Sequence, residues 1–278
     1  MTFRKVVLGL ALVLAGPIAA SAQQAPILTR YRPPPAGTSD TYIVTLSVTG
    51  AAAPSYVGSD QISGNFFPSL NYRRSDEPAR FLAPDDGASI SIIENPSLRF
   101  GPVFRFQSGR NRRDDRGLTG LRSRQYDVES GLFLEYWPLT FIRARIEARH
   151  GFRDDSGFTG NLALDYVHEM GPFTASIGPR LALGDSKQHN RYFGVSPFEA
   201  AINTRVGRSF RPDGGVTSVG ALAAVTYRWN ETWATTGFVG YDRLVSDAAR
   251  SPIVRNIGSE DQFTVGLRVS YSFAYSTR

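Results

Sequence analysis

The chain has 278 residues, a formal charge of +6 and no cysteine. The missing cysteines exclude a disulfide scaffold, a thiolate metal site and attachment through an acylated cysteine. A mean hydropathy of −0.22 and the lack of a later apolar run near ~18 residues exclude a helical membrane protein, though not a β-barrel.

Arg4 and Lys5, an apolar stretch over 6–15 and Ala20-Ser21-Ala22 make the three parts of a cleavable signal peptide over residues 1–22. Export, with 18 Phe, 12 Tyr and 27 Gly, turns the basic balance away from nucleic acid and toward arginines inside a barrel or on its loops. Residues 23–40 are a Pro-rich periplasmic leader, where Pro33-Pro34-Pro35 favours an extended chain without ladder bonds.

From residue 41 to 278 a period of two takes over. Tyr42, Val44, Leu46 and Val48 alternate with Ile43, Thr45, Ser47 and Thr49; Phe66, Pro68, Leu70 and Tyr72 keep register over 62–73. Residues 81–83 and 88–94 read as a short hairpin about Asp85-Asp86-Gly87, and Leu98 to Phe106 alternates with Arg99 and Arg105 on the second face. In 141–150, Arg143, Arg145, Glu147 and Arg149 share one face while Ile142, Ala144, Ile146 and Ala148 share the other. A helix would spread those charges around its circumference; a strand segregates them. In 263–273, Phe263, Val265, Leu267, Val269, Tyr271 and Phe273 oppose Thr264, Gly266, Arg268, Ser270 and Ser272.

Short turns at 95–96, 137–140, 169–172 and 230–232 alternate with polar connections over 109–124, 151–157, 184–215 and 245–261. That is the arrangement of an all-β, transmembrane, antiparallel up-and-down barrel of the Gram-negative outer membrane, lipid outside and polar groups inside. Taking 184–215 as one external loop gives about 12 strands; 14 or 10 are the alternatives. Arg99, Arg105, Arg143, Arg145, Glu147, Arg149, Arg180 and Arg268 are expected to line the lumen, where opposite charges on neighbouring strands pair. Tyr136, Trp137, Trp229, Trp233 and Tyr241 stand at strand ends, as an interfacial girdle requires.

Gly184-Asp185 followed by Tyr192-Phe193-Gly194-Val195, then Tyr241-Asp242-Arg243-Leu244 with Asp247-Ala248-Ala249-Arg250-Ser251-Pro252-Ile253-Val254, resemble signatures of the MipA/OmpV family of outer-membrane proteins. Pro54, Tyr56, Gly58 and Gly131-Leu132-Phe133 extend the resemblance over most of the mature chain. It implies a barrel, and a scaffold that links a lytic murein transglycosylase to a peptidoglycan synthase, or a surface antigen. Such barrels usually end on an aromatic residue; here Ala274 to Arg278 follow Phe273.

No catalytic, cofactor or metal site is expected. The histidines are His150, His168 and His189, and no G-x-S-x-G elbow occurs, although Gly184-Asp185-Ser186 mimics the start of an esterase motif. Asp114-Asp115 and Asp154-Asp155 are flanked by arginine, which repels a cation. Arg110, Arg112, Arg113 and Arg116 form the densest basic run and are candidate contacts to lipopolysaccharide phosphates, unless Asp114 and Asp115 neutralise them. A barrel of this size lies between a filled and an open lumen. A narrow diffusion channel, favouring anions through its arginines, is the alternative to the scaffold. The expected lumen is closed or very narrow, with 184–215 long enough to fold inward.

Overall fold

The computed structural model describes residues 41–76 and 79–276, so the signal peptide expected over 1–22 and the leader over 23–40 lie outside the described residues. The alternating segments form strands β1 (Thr41–Pro54), β2 (Ile62–Arg74), β3 (Ala88–Ser89), β4 (Ile93–Glu94), β5 (Leu98–Gln107), β6 (Asp127–Leu139), β7 (Ile142–Gly151), β8 (Phe158–Met170), β9 (Phe173–Gly184), β10 (Gly215–Arg228), β11 (Trp233–Leu244) and β12 (Asp261–Ser276). They make one 12-stranded antiparallel sheet in the order β2-β1-β12-β11-β10-β9-β8-β7-β6-β5-β3, with β4 also on β5. The first and last long strands pair from Thr41↔Ser276 to Ala52↔Val265, which curls the sheet into a nearly closed barrel. Among the described residues no ladder joins β2 to β3 or β4, so a seam remains there.

Backbone satisfaction explains the architecture, since a sheet in lipid must hide its edges by closing. Lipid-side residues are the apolar half of each strand: Phe66 is 80% exposed, Leu70 62% and Val265 57%. β12 continues past Phe273 to Ser276, and Tyr275 keeps the outward parity. At the end carrying the short turns, aromatic contacts run around the rim: Tyr227 with Phe173 and Trp229, Trp233 with Tyr271, Phe141 with Tyr166. Trp137 departs from the girdle expectation. A register shift between Tyr136 and Leu139 accompanies an inward turn, and its indole donates to Glu135 Oε1 at 3.0 Å.

Residues 81–83, expected as half of a hairpin, are not a strand. The Asp85-Asp86-Gly87 turn enters the lumen before the chain returns along β5 as β3 and β4. At the other end the long connections fold into α1 (Ser186–Phe193), α2 (Pro197–Ile202), α3 (Ser246–Arg250) and α4 (Pro252–Asn256). Thus 184–215 lies over the mouth as two short helices and a return segment bridged from Phe210 to Val195, and the segment that enters the lumen is a different one.

Candidate functional site: a plugged lumen beneath a helical cap

Strand register assembles the charged wall. Arg99 stands opposite Glu135, Glu135 opposite Arg145, and Arg143 opposite Asp165, so each charge meets its opposite sign on the adjacent strand. Glu135 accepts from Arg143 Nε at 3.0 Å, Arg145 Nη1 at 3.2 Å and Arg99 Nη1 at 3.2 Å. Arg145 Nε donates to Glu147 Oε1 at 2.9 Å, and Arg149 Nε to Glu129 Oε2 at 3.0 Å. Arg105 donates to Glu147 Oε2 at 3.2 Å. Arg143 is 0% exposed, yet its donors are taken by Glu135, by Asp165 at 2.8 Å and by Asp86 at 2.6 Å. A buried guanidinium is tolerable only when so paired.

The plug, residues 79–87, is gripped from facing sides of the barrel. Asp85 takes a two-pronged contact from Arg180 of β9, at 2.7 and 3.2 Å, and its backbone carbonyl accepts from Arg105 of β5. Asp86 binds Arg143 of β7. From across the lumen Arg268 of β12 donates to the Pro84 carbonyl at 3.0 Å. Phe81 meets Trp137 edge-on and lies under the Arg143 guanidinium, 5.3 Å from the ring centre. Gly87 donates to Glu147 at 3.1 Å, and a Cβ there would come within 2.5 Å of Val103. A side chain at residue 87 would have to displace Val103 and press on the Phe104 carbonyl.

All the lumen arginines named from the sequence therefore sit in or beside this network. Sequence reasoning missed Glu129, Glu135, Asp165, Asp85 and Asp86. The strand acids carried a parity signal, but on β6 they share their face with Phe133, which blurs it.

The cap closes the other end of a cavity of about 330 Å³, lined by Arg105, Arg149 and Arg180 from the wall, Asp85 from the plug, and His189 and Tyr192 from α1. Its interior is a small water-soluble-type core: Tyr56, Leu118, Val195, Val206, Ile253 and Ile257 in one cluster, Tyr192, Phe193, Leu244, Ala248 and Val254 in a second. Asp185 caps α1 by accepting from Gln188 N–H at 2.7 Å. Ser251 donates to the Phe193 carbonyl at 2.7 Å and accepts from Ile253 N–H at 3.2 Å. Asp247 accepts from Asp213 N–H at 2.6 Å. His189 is pinned between the Asp213 carbonyl at 2.6 Å and Thr217 Oγ1 at 2.9 Å. His150 lies against Phe158, His168 stacks on Tyr166, and none of the three bonds to a serine among the described residues.

The basic run divides. Arg110 is buried (2% exposed), and its guanidinium donates to the Tyr192 carbonyl, so it is removed from the candidate lipopolysaccharide contacts. Burial, then neighbouring Arg124, pushes its pKa down to about 10. Burial, with Asp115 adding to it, raises the Tyr56 phenol to about 12. Arg112, Arg113 and Arg116 remain exposed. The two acids expected to neutralise them instead bind backbone: Asp114 accepts from Asn111 N–H and Asp115 from Gly117 N–H, both at 2.6 Å.

A family model described as "MltA-interacting protein MipA" matches residues 46–273, most of the barrel and all of the cap. The chain belongs to that family. It is 32% identical over 112 residues to the outer membrane protein OmpV of Vibrio cholerae serotype O1, covering 40% of this chain and 41% of that protein. With outer membrane protein Omp26La of Vibrio anguillarum it shares 28% over 120 residues, or 43% and 44% of the two chains. The matches thus span about two fifths of either relative's length. Among solved structures it is similar to the NanC porin (TM-score 0.44, 11% identity, 82% of this chain and 100% of that one). It is also similar to the COG4313 outer membrane channel from Pseudomonas putida F1 (TM-score 0.38, 10% identity, 90% and 100%). This member of the MipA family is an outer-membrane β-barrel.

Proposed function

We propose that this MipA-family barrel is a structural scaffold whose turn end docks cell-wall enzymes, a lytic murein transglycosylase and a peptidoglycan synthase. The observation that carries the reading is the plug held at once by Arg143 of β7 and Arg268 of β12. A barrel so obstructed is organised for holding rather than for passage. Short turns of such barrels face the periplasm, where murein enzymes work. The family's own description, MltA-interacting, points to the same class of partner.

The anion-channel alternative has less support. Glu129, Glu135, Glu147, Asp165, Asp85 and Asp86 pair with every named lumen arginine except Arg268, which binds Thr49 and the Pro84 carbonyl, so little positive field is left for a permeating anion. Crosslinking of intact envelopes followed by capture of the tagged protein tests the scaffold: murein transglycosylase and synthase should co-purify. Recovery of neither would overturn it.

A further inference from the structure

The outer face of the cap carries exposed arginines that form no ion pair among the described residues, and it fits a phosphorylated surface. Asn203 donates to the Gly117 carbonyl at 2.7 Å, and a Cβ on Gly117 would lie 3.2 Å from Arg205 Nη1 and 3.1 Å from Asp115 Oδ1. The segment carrying Asp115 and Arg116 thus adjoins Arg205, without an ion pair between Asp115 and Arg205. Asn256 donates to the Arg205 carbonyl at 2.9 Å, which brings the Arg255 backbone near, and Arg255 Nε donates to the Ala249 carbonyl at 3.2 Å, leaving its other donors exposed. Arg112 and Arg113 precede on the same loop as Arg116, and Arg208 follows Arg205. All six are exposed.

The nearby carboxylates do not pair with them. Asp114 and Asp115 bind backbone amides, and Glu199 accepts from Arg122 N–H at 2.7 Å and Ser196 N–H at 2.8 Å. Among the described residues, none of these three acids is in an ion pair with any arginine of the cluster. Mutual repulsion of exposed guanidiniums costs stability unless an anion is met, and planar guanidinium forks match phosphate oxygens two at a time. The cap crowns the loop end of an outer-membrane barrel, the end that faces the lipopolysaccharide leaflet.

We propose that Arg112, Arg113, Arg116, Arg205, Arg208 and Arg255 form a docking face for the phosphate groups of lipopolysaccharide. This stands independently of the scaffold reading, because it concerns the opposite end of the barrel.

The test is binding of the purified full-length barrel in neutral detergent to purified lipopolysaccharide, to the same material after enzymatic dephosphorylation, and to heparin. The native protein should bind the phosphorylated form, weakening steeply with added salt. It should bind the dephosphorylated form about tenfold or more weakly. A variant carrying Arg112→Ser, Arg113→Ser, Arg116→Ser and Arg208→Ser should lose a similar factor while keeping heat-modifiable gel migration, the sign of an intact barrel. Equal binding to both forms of lipopolysaccharide by the native protein would overturn the proposal, whatever the variant does. Heparin bound as tightly as phosphorylated lipopolysaccharide would also overturn it, in favour of a general polyanion surface.

Discussion

The two sides of the lumen solve the same problem with different chemistry. From β5 to β9 the inward positions hold long charged side chains that reach across and clamp the plug. From β10 through β12 to β1 they hold Thr226, Thr236, Ser270, Ser272, Thr45 and Ser47, short hydroxyls that pair across the strands at 2.8 to 2.9 Å. Arg268 reaches across from that side to the Pro84 carbonyl, and Asp242 of β11 shares the cavity lining with Asp85 and Arg180. Long ions on one wall and short alcohols on the other leave room for a segment of chain between them. The difference teaches that the charged wall is a binding site for the protein's own plug, while the hydroxyl wall carries the β1–β12 pairing that closes the ring.

Substitutions on the two walls should therefore diverge. Arg143→Ala takes from Glu135, Asp165 and Asp86 the one cation they share. Arg99 and Arg145 remain for Glu135, Arg180 for Asp165 and Arg145 for Asp86, and the loss of one partner from a buried pair costs ~3–5 kcal/mol. Urea unfolding in detergent should show a marked fall in midpoint. Ser270→Ala removes one cross-strand hydroxyl contact worth about 0.2–1 kcal/mol, so the same measurement should barely move. Equal costs would erase the distinction between the walls.

A sharper probe acts on the plug while leaving the wall intact. Asp85→Asn with Asp86→Asn keeps the shape but discharges the grip of Arg180 and Arg143. Charge-assisted hydrogen bonds contribute about 1.5–3 kcal/mol each. Limited proteolysis should then cut within 79–87 in the variant and spare the native protein. In the cap, Ser251→Ala frees the Phe193 carbonyl and the first turn of α4, a loss of about 1–2 kcal/mol. It should speed cleavage of 185–214 with no effect on plug protection.

The smallest effect is a titration. Burial raises the Glu199 carboxyl, but the amides of Arg122 and Ser196 outweigh that and hold it below its ordinary value of 4.5. A depressed carboxylate stabilises above its unfolded value, and that stability disappears as pH falls through the folded one. The Arg122 and Ser196 amide shifts should accordingly titrate at a pH below 4.5. A midpoint at or above that value would show the cap bonds to be weaker than their geometry.

The barrel was legible because parity is a local property. Arg143, Arg145, Glu147 and Arg149 announce a wet face from within ten residues of chain, and closure follows from the need to hide sheet edges. The plug was not, because nothing near Asp85 and Asp86 says that their partners are Arg180 and Arg143, far along the chain. Phe81-Leu82-Ala83 looks strand-like for the same reason that it packs well against Trp137. The words that carry the family resemblance, from Gly184 to Val195 and from Asp247 to Val254, spell the cap rather than the membrane wall. They were visible as motifs, but their meeting over the lumen depends on register and on helices too short to show a clear period.

Single-channel conductance in planar bilayers, compared between the native barrel and the Asp85→Asn, Asp86→Asn variant, reaches the central claim most directly. The native protein should stay closed or nearly so, and the variant should show frequent, larger openings as the loosened plug leaves the lumen. A large, steady conductance from the native protein, unchanged in the variant, would contradict a lumen sealed by its own chain.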